Sequence, residues 1–188
     1  MSLQTWKETI VMAATDGPTI TAAARASCIP TANRIVLPNN FFYIGRAIQI
    51  KMGGRISCAV TTPGTMRLDI CLGAAGTTVV FDTLAINLNI VAKTTVPWFF
   101  ETTLVCRAVG NATSTTFFPH WSWLQSEALV GAPLPAVGSN TALNVPVGTP
   151  AVGAGMDNTA ASILDVFFTQ TAATGSFTVQ TYQVDILN

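Results

Sequence analysis

Hydrophobic and polar residues alternate along several short segments of the chain. Residues 65–72, TMRLDICL, separate an apolar set from a second, mostly polar set: Met66, Leu68, Ile70 and Leu72 against Arg67, Asp69 and Cys71. In RAIQIKM, residues 46–52, the apolar set is Ile48, Ile50 and Met52. A period of two is typical of a half-buried β-strand, because successive side chains point to opposite faces of a sheet. We therefore predict two strands whose apolar sets face a core.

The segment SFTVQTYQVDIL, residues 176–187, changes phase along its length. Phe177 and Val179 begin the inward set, but the set continues at Tyr182, Val184 and Ile186. One extra residue between 179 and 182 restores the alternation, so the pattern predicts a β-bulge or bend there.

Residues 96–110, VPWFFETTLVCRAVG, predict a strand with two largely apolar faces. One set contains Trp98, Phe100 and Leu104, and the other contains Phe99 and Val105. A two-sheet sandwich has one internal core, which can cover only one of these faces. We expect the second face to be covered by another subunit or another surface.

Turn signals separate these segments at short intervals. They are Asp16-Gly17-Pro18, Leu37-Pro38-Asn39-Asn40, Gly53-Gly54, Pro63-Gly64, Gly73 to Gly76, Gly110-Asn111 and Thr174-Gly175. The 188 residues include only three Glu and three Lys, too few for solvated helices. ETIVMA, residues 8–13, fits a strand better than the short helix suggested by the spacing of Leu3, Trp6 and Ile10. We predict one all-β domain over residues 1–188, a sandwich or barrel.

Residues 131–158 form a long Pro- and Gly-rich segment with a single charge, Asp157. A flexible linker is normally more polar, and long loops inside compact domains are usually functional. We interpret the segment as a contact loop; the alternative is an irregular loop folded on its own core. NTALNVPV, residues 140–147, adds one strand within it.

Charge is sparse and balanced. Nine basic and nine acidic residues make up 10% of the chain, against about a quarter in ordinary domains. The balance disfavours nucleic acid as a partner, and the low fraction favours a surface that contacts other proteins over a Thr-rich monomer surface. Residues 1–107 carry net charge +4 and residues 108–188 carry −4, which would matter only if the two segments occupied different flanks.

The chain carries no sequence signal for a membrane or for secretion. Asp82, Asn87 and Asn89 interrupt its best apolar stretch, and the N-terminus lacks the cleavage pattern of a secretory signal. We expect synthesis in a reducing cytosol, without disulfides. The cysteines have no metal-binding or redox spacing and are expected to be buried free thiols: Cys28, Cys58, Cys71 and Cys106.

Candidate catalytic residues are few. His120 is the one histidine, and its setting between Pro119 and Trp121 is more typical of a packed histidine than of a general base. Asp69, Asp82 and Glu101 offer carboxylates for a glycosidase, although nine acids on strands form such pairs by chance. No cofactor or metal motif occurs, so we expect no enzyme activity.

Trp121 and Trp123 lie two residues apart, so in an extended segment they share one face. They suit a sugar-stacking platform, but aromatic residues dominate cores and subunit interfaces as well, and this second interpretation is favoured.

The segments LPNNFFYIGRAIQIKMGGRIS, TTPGTMRLDICLG, VPWFFETTLVCRAVG and GSFTVQTYQVDILN together resemble small virion structural proteins of tailed bacteriophages. The similarity runs from about residue 37 to 130 and from 160 to 188 and is weakest at 131–158. It implies an antiparallel, jelly-roll-like β-sandwich, commonly a homotrimer, on the outer surface of the capsid.

The function that the resemblance implies is that of a capsid decoration (cement) protein, which binds the major capsid protein between capsomers and stabilises the head. Residues 1–30, as an N-terminal arm, and the loop 131–158 are the expected anchors. The expected interface residues are Trp6, Trp98, Phe99, Trp121, Trp123, Leu134 and Val145. The alternatives are a head-fibre or tail-appendage knob that binds host glycan through Trp121 and Trp123, and a depolymerase.

Overall fold

The computed structural model describes residues 6–13, 15–59, 61–130 and 141–187, and these residues are mostly in β-strands. The single helix within these ranges is a 3₁₀ turn at Thr31–Asn33. The all-β class predicted from the lack of Glu and Lys is confirmed. The strands are β1 (Lys7–Ala13), β2 (Arg25–Ser27), β3 (Ile35–Leu37), β4 (Ala47–Cys58), β5 (Thr65–Leu72), β6 (Thr78–Asp82), β7 (Ile86–Asn87), β8 (Lys93–Ala108), β9 (Thr116–Ser126), β10 (Thr141–Asn144), β11 (Ser162–Gln170) and β12 (Ser176–Leu187).

The strands form two antiparallel sheets packed as a sandwich. Sheet 1 has the order β1-β12-β4-β8-β9-β10, and sheet 2 has the order β2-β11-β5-β6, with β3 also paired to β11 and β7 to β5. The four strands β1-β12-β4-β8 face β2-β11-β5-β6, and the chain passes between the two sets in the order of an eight-stranded jelly roll. β9 and β10 then extend sheet 1 on one side.

The core is built from the apolar sets that the alternation predicts. Ile48, Ile50 and Met52 of β4 are buried, as is the whole set from Met66 to Leu72 of β5. Aromatic rings connect the two sheets: Phe177 of β12 stacks on Trp98 at a centroid distance of 4.5 Å and on Phe168 of β11 at 3.9 Å. Burial of each such ring contributes about 1.5–3 kcal/mol to folding.

The predicted β-bulge in β12 is confirmed, because the register between β12 and β4 shifts between Val179 and Thr181. The turn predicted at Gly53-Gly54 is wrong, since both residues lie inside β4. A Cβ atom at Gly54 would lie 2.0 Å from the carbonyl oxygen of Thr178. Glycine is required there by the close approach of the bulged strand rather than by a turn.

The described part of the predicted N-terminal arm belongs to the sandwich. β1 pairs with β12 at one edge of sheet 1, and β2 pairs with β11 in sheet 2. Between them, Ile20 forms an antiparallel bridge with Phe177. Over residues 7–13 and 25–27 the chain is therefore sheet strand and not a free arm.

The contact loop predicted at 131–158 divides into two parts. Residues 131–140, which include Leu134, lie outside the described residues, and β10 is the additional strand expected in NTALNVPV. From residue 145 onward the segment packs on the sandwich. The Val147 amide donates to the Thr83 carbonyl at 3.1 Å, and Met156 and Thr115 exchange backbone hydrogen bonds at 2.9 and 3.0 Å.

The two oppositely charged halves of the sequence interleave in space. Ion pairs join Lys7 to Asp185 at 2.7 Å and Lys93 to Glu127 at 3.2 Å, each connecting residues 1–107 with residues 108–188. The charge asymmetry along the sequence is therefore largely neutralised within the fold.

Candidate functional site

Two of the predicted interface residues belong to the core. Trp98 is 1% exposed and takes part in the aromatic stack, and its indole Nε1 donates to the Thr178 carbonyl at 3.3 Å. Val145 is buried as well. These two predictions are corrected: both side chains pack inside the sandwich and offer no surface to a partner. Leu134 lies outside the described residues.

The other predicted interface residues are at the surface. Trp6, Phe99 and Trp121 are exposed, and Trp123 is half-buried. Phe99 and Trp123 face the same side of sheet 1, because Phe99 is two residues from Glu101, the cross-strand partner of Trp123. The Trp121 indole lies on this side too, since its ring centroid is 5.2 Å from that of His120, which faces this side opposite Thr103.

We define the outer face of sheet 1 by the row of Cα partners that crosses five strands. The row runs from Met12 through Gln183, Lys51 and Glu101 to Trp123. Phe99 lies on the same face, because it precedes the buried Phe100 in β8. Met12 is 70% exposed and Phe99 is 51% exposed, so the face presents apolar side chains to solvent.

A groove of about 410 Å³ opens on this face, and we call it the Met12 groove. It is lined by Met12, Ala13, Lys51, Met52, Phe99, Thr181, Tyr182 and Gln183. Gly53 has no side chain on this face, and a Cβ atom there would lie 3.2 Å from both Phe99 Cδ1 and Thr181 Oγ1. The missing side chain leaves room for Phe99 and Thr181 to approach each other beside the groove.

Trp121 stands on a bulge in β9. The register between β8 and β9 shifts so that Trp121 and Ser122 together oppose Thr102. Trp121 has φ 55°, a left-handed conformation that is rare for a bulky side chain. The Ser122 and Thr102 hydroxyls lie 2.5 Å apart, and the imidazole of His120 meets the indole edge-on at a centroid distance of 5.2 Å. The indole is held in place and 78% exposed.

The polar groups of this face satisfy one another within the chain. Lys7 Nζ lies 2.7 Å from Asp185 Oδ2 and donates to Gln49 Oε1 at 2.8 Å. Gln49 Nε2 in turn donates to Glu101 Oε1 at 2.8 Å, and Lys51 Nζ is 3.8 Å from the same oxygen. Burial alone would raise the pKa of Asp185, but hydrogen bonds from Lys7 and its neighbours outweigh burial and lower it. The four charges sum to zero.

The outer face of sheet 2 is built from arginines and aspartates. Asp69 is buried between two guanidinium groups: Arg25 Nε donates to Oδ2 and Arg67 Nε to Oδ1, both at 2.8 Å. Arg67 Nη2 is also 2.6 Å from Asp82 Oδ2. Burial raises the pKa of the Cys71 thiol to about 11, although Arg25 Nη2, 3.0 Å from Sγ, favours the thiolate.

A second buried carboxylate extends this face. Asp165 accepts a hydrogen bond from Ser27 Oγ at 2.6 Å, and Arg34 Nε lies 3.0 Å from its other oxygen in an ion pair without hydrogen-bond geometry. Burial raises the pKa of Asp165, and Ser27 and Arg34 only partly oppose this.

The carboxylates considered for a glycosidase do not form an acid and base pair. Asp69 and Asp82 are cross-strand partners, but both bind Arg67. Glu101 lies on the other sheet, bound to Gln49. Burial raises the pKa of Asp82, opposed by the Leu84 amide and Arg67. The arrangement is an ion-pair network.

His120 is exposed, so the prediction of a packed histidine is wrong. The ring lies on the outer face of sheet 1, where its position opposite Thr103 in β8 directs it outward. Within the described ranges, no three His, Cys, Asp or Glu side chains are grouped to hold a metal ion, and no helix is long and apolar enough to span a membrane.

No protein-family model, curated protein or solved structure matches the chain.

Met12 and Thr181 are exposed residues of the groove that the sequence patterns did not single out, and the buried Gly53 beside them was predicted as part of a turn. A signal for Gly53 is present in β4. The inward set Ile48, Ile50 and Met52 continues in phase through the glycine pair to Ile56 and Cys58, which marks a continuous strand. Met12 and Thr181 carry no local signal, since the groove arises only when β1, β12, β4 and β8 are adjacent.

Proposed function

We propose that the chain is a structural protein of a virus particle, a capsid decoration protein on the head of a tailed bacteriophage. The observation that carries the proposal is the strand order, since the eight-stranded jelly roll is an architecture that recurs in viral capsid domains and lectins. Its partners would be copies of itself and the major capsid protein. The homotrimer that the resemblance implies stays a prediction.

A rigid apolar tip supports a contact with a shell. Phe42 and the Asn158 side chain exchange hydrogen bonds at 3.1 and 3.0 Å, and the Asn40 amide donates to the Asn158 carbonyl at 2.6 Å. The loop so held exposes Tyr43 and 67% of Ile44 at the end of the sandwich where β4 begins. Preorganised exposed apolar side chains bind with little loss of conformational entropy.

The proposal is tested by counting the chain in purified particles by quantitative mass spectrometry. Decoration requires a copy number comparable to that of the major capsid protein. Particles that lack the chain should release their genome at lower temperature, and adding purified chain should restore the wild-type temperature. Particles without the chain, or unchanged thermal release in its absence, would contradict a decoration role.

A matched pair of variants tests the tip. Ile44→Asp should abolish binding to particles that lack the chain, because a charge replaces an apolar contact. Ile90→Asp is the control: Ile90 is 59% exposed and lies near the opposite end, before β8 begins. Equal binding by both variants would exclude the tip as the shell contact while leaving the copy-number test unaffected.

The alternative role, a fibre or appendage knob that binds glycan, is kept because Trp121 is a rigid exposed indole of the kind that stacks on sugar rings. A copy number far below that of the major capsid protein, together with binding to a glycan array, would favour it.

A further inference from the structure

The outer face of sheet 1 carries both a projecting side chain and a cavity. The Trp121 indole is held on its bulge by the backbone, by the bond between Ser122 and Thr102, and by the edge contact of His120. A fixed, exposed tryptophan loses little entropy on binding, and tryptophan is the residue most enriched at interface hot spots.

The Met12 groove is the matching cavity. It lies over β1, β12, β4 and β8, while Trp121 lies on β9, so the two features are side by side on one surface. The groove is large enough for an indole, and its rim contains the exposed side chains of Met12 and Phe99. Thioether and aromatic groups are favourable neighbours for an indole ring.

The placement of both features on one face restricts how two copies can meet. When two identical faces are opposed across a twofold axis, each projection enters the cavity of the other copy at the same time. We infer that the outer face of sheet 1 pairs with the same face of a second copy, with Trp121 of each copy seated in the Met12 groove of its partner.

Area and charge agree with a second copy as the occupant. Six strands about 4.8 Å apart and on average about ten residues long span roughly 800 Å² in projection, which is comparable to the roughly 800 Å² per partner of a standard interface. The charged side chains of this face are paired within each chain, Lys7 with Asp185 and Lys51 with Glu101. Burying the face would therefore leave none of these four charges unpaired.

The pairing goes beyond the proposed function, because it requires no shell. It also differs from the implied trimer in mass: the pair weighs twice 19.8 kDa, and the trimer three times that value. A trimer would overturn the pairing and leave the decoration proposal standing.

Sedimentation over a series of concentrations tests the pairing. The wild-type chain should be a monomer and dimer in equilibrium, and Trp121→Gly should raise the dissociation constant at least about 30-fold, as for a hot-spot residue. Glycine adopts φ 55° without strain, so the variant should melt no lower than the wild-type monomer. Ile44→Ser, at an equally apolar exposed site off this face, should pair as the wild type does.

Cross-linking tests the seating of the indole. Thr181→Cys places a thiol on the groove wall and His120→Cys places one beside Trp121, while the native cysteines are buried. Oxidation of the two variants mixed together should give a linked pair in several-fold higher yield than oxidation of either alone.

Four outcomes would overturn the inference. They are a trimer, a wild-type chain that stays monomeric at high concentration, unchanged pairing in Trp121→Gly, and equal cross-linking in mixed and separate samples. If the monomer instead binds a glycan array and Trp121→Gly abolishes that binding, the outer face of sheet 1 is a glycan-binding surface and not a dimer interface.

Discussion

The outer faces of the two sheets differ in how far the chain's own side chains cover them. On sheet 2, Asp69 and Asp165 are buried although they point away from the core, because Arg25, Arg67 and Arg34 cover them. On sheet 1 the charges are paired as well, but the apolar side chains beside them remain exposed, with Trp121 the most exposed large apolar residue described.

This difference indicates which face is available to a partner. Displacing the guanidinium groups of sheet 2 would leave buried carboxylates unpaired, which is costly. Covering Met12, Phe99 and Trp121 removes apolar surface from water and breaks no bond within the chain. The same fold thus has one face closed by its own ion pairs and one that gains from contact.

The largest effect on stability is expected inside sheet 1, where the adjacent residues Gly53 and Gly54 of β4 face opposite sides of the sheet. Gly54→Ala should destabilise the chain by about 3 kcal/mol or more, because its Cβ atom would meet the Thr178 backbone at 2.0 Å. At Gly53→Ala the Cβ atom would lie 3.2 Å from the Phe99 and Thr181 side chains and 3.4 Å from the Trp98 carbonyl oxygen, an ordinary contact distance, so the substitution should cost less than about 1 kcal/mol. Denaturant unfolding measures both. Similar losses would mean that the outer face is packed as tightly as the core.

The next largest effect concerns the ion pairs of sheet 2. Asp69→Ala should lower the free energy of unfolding by about 2 kcal/mol, because it removes the carboxylate that two arginines share. This loss is smaller than for a fully buried ion pair, because both arginine side chains are over a third exposed and solvent screens their charges. Phe99→Ala on sheet 1 should cost less than about 1 kcal/mol of monomer stability. The free energy of unfolding is measured at dilution. If Phe99→Ala cost the monomer more, the contrast between the faces would fail.

A pH series distinguishes one aspartate on each face. Asp185 has a lowered pKa in the folded chain. Its contribution to the free energy of unfolding is therefore complete above the carboxyl pKa of the unfolded chain, about 3.9, and is lost as the pH falls through the pKa of the folded chain. At pH 7 the free energy of unfolding of the wild type should exceed that of Asp185→Asn by about 1 kcal/mol, and this difference should disappear below about pH 4.

Asp165, on sheet 2, should show the opposite trend. Its pKa is raised, so the folded chain takes up a proton first, and the wild type should gain stability relative to Asp165→Asn as the pH falls towards 4. Unfolding free energies at pH 7, 5 and 3 check both variants. Parallel trends would show that the two carboxylates share one environment.

The smallest effect is expected at Tyr182, in the layer between the faces. Its hydroxyl is buried and has no hydrogen-bond partner among the described residues. Tyr182→Phe removes an unsatisfied polar group, so stability should stay the same or rise by up to about 1 kcal/mol. Thermal unfolding measures the change. A clear loss would show that the hydroxyl is bonded in solution.

Local alternation in the sequence was sufficient to predict the strands β4, β5, β8 and β12, the bulge near Thr181 and the all-β class. These features depend on which side of a strand each residue faces, and that information lies within a few neighbouring residues. The buried free cysteines also followed from their spacing alone.

Tertiary structure decided which apolar residues form the surface. Trp98 and Phe99 are adjacent and equally apolar, yet one stacks in the core and the other lines a groove, because β8 has sheet 2 on one side only. Gly53-Gly54 has the composition of a turn but sits where two strands approach closely. The Met12 groove joins residues from β1, β4, β8 and β12, and such a site exists only after distant segments have paired.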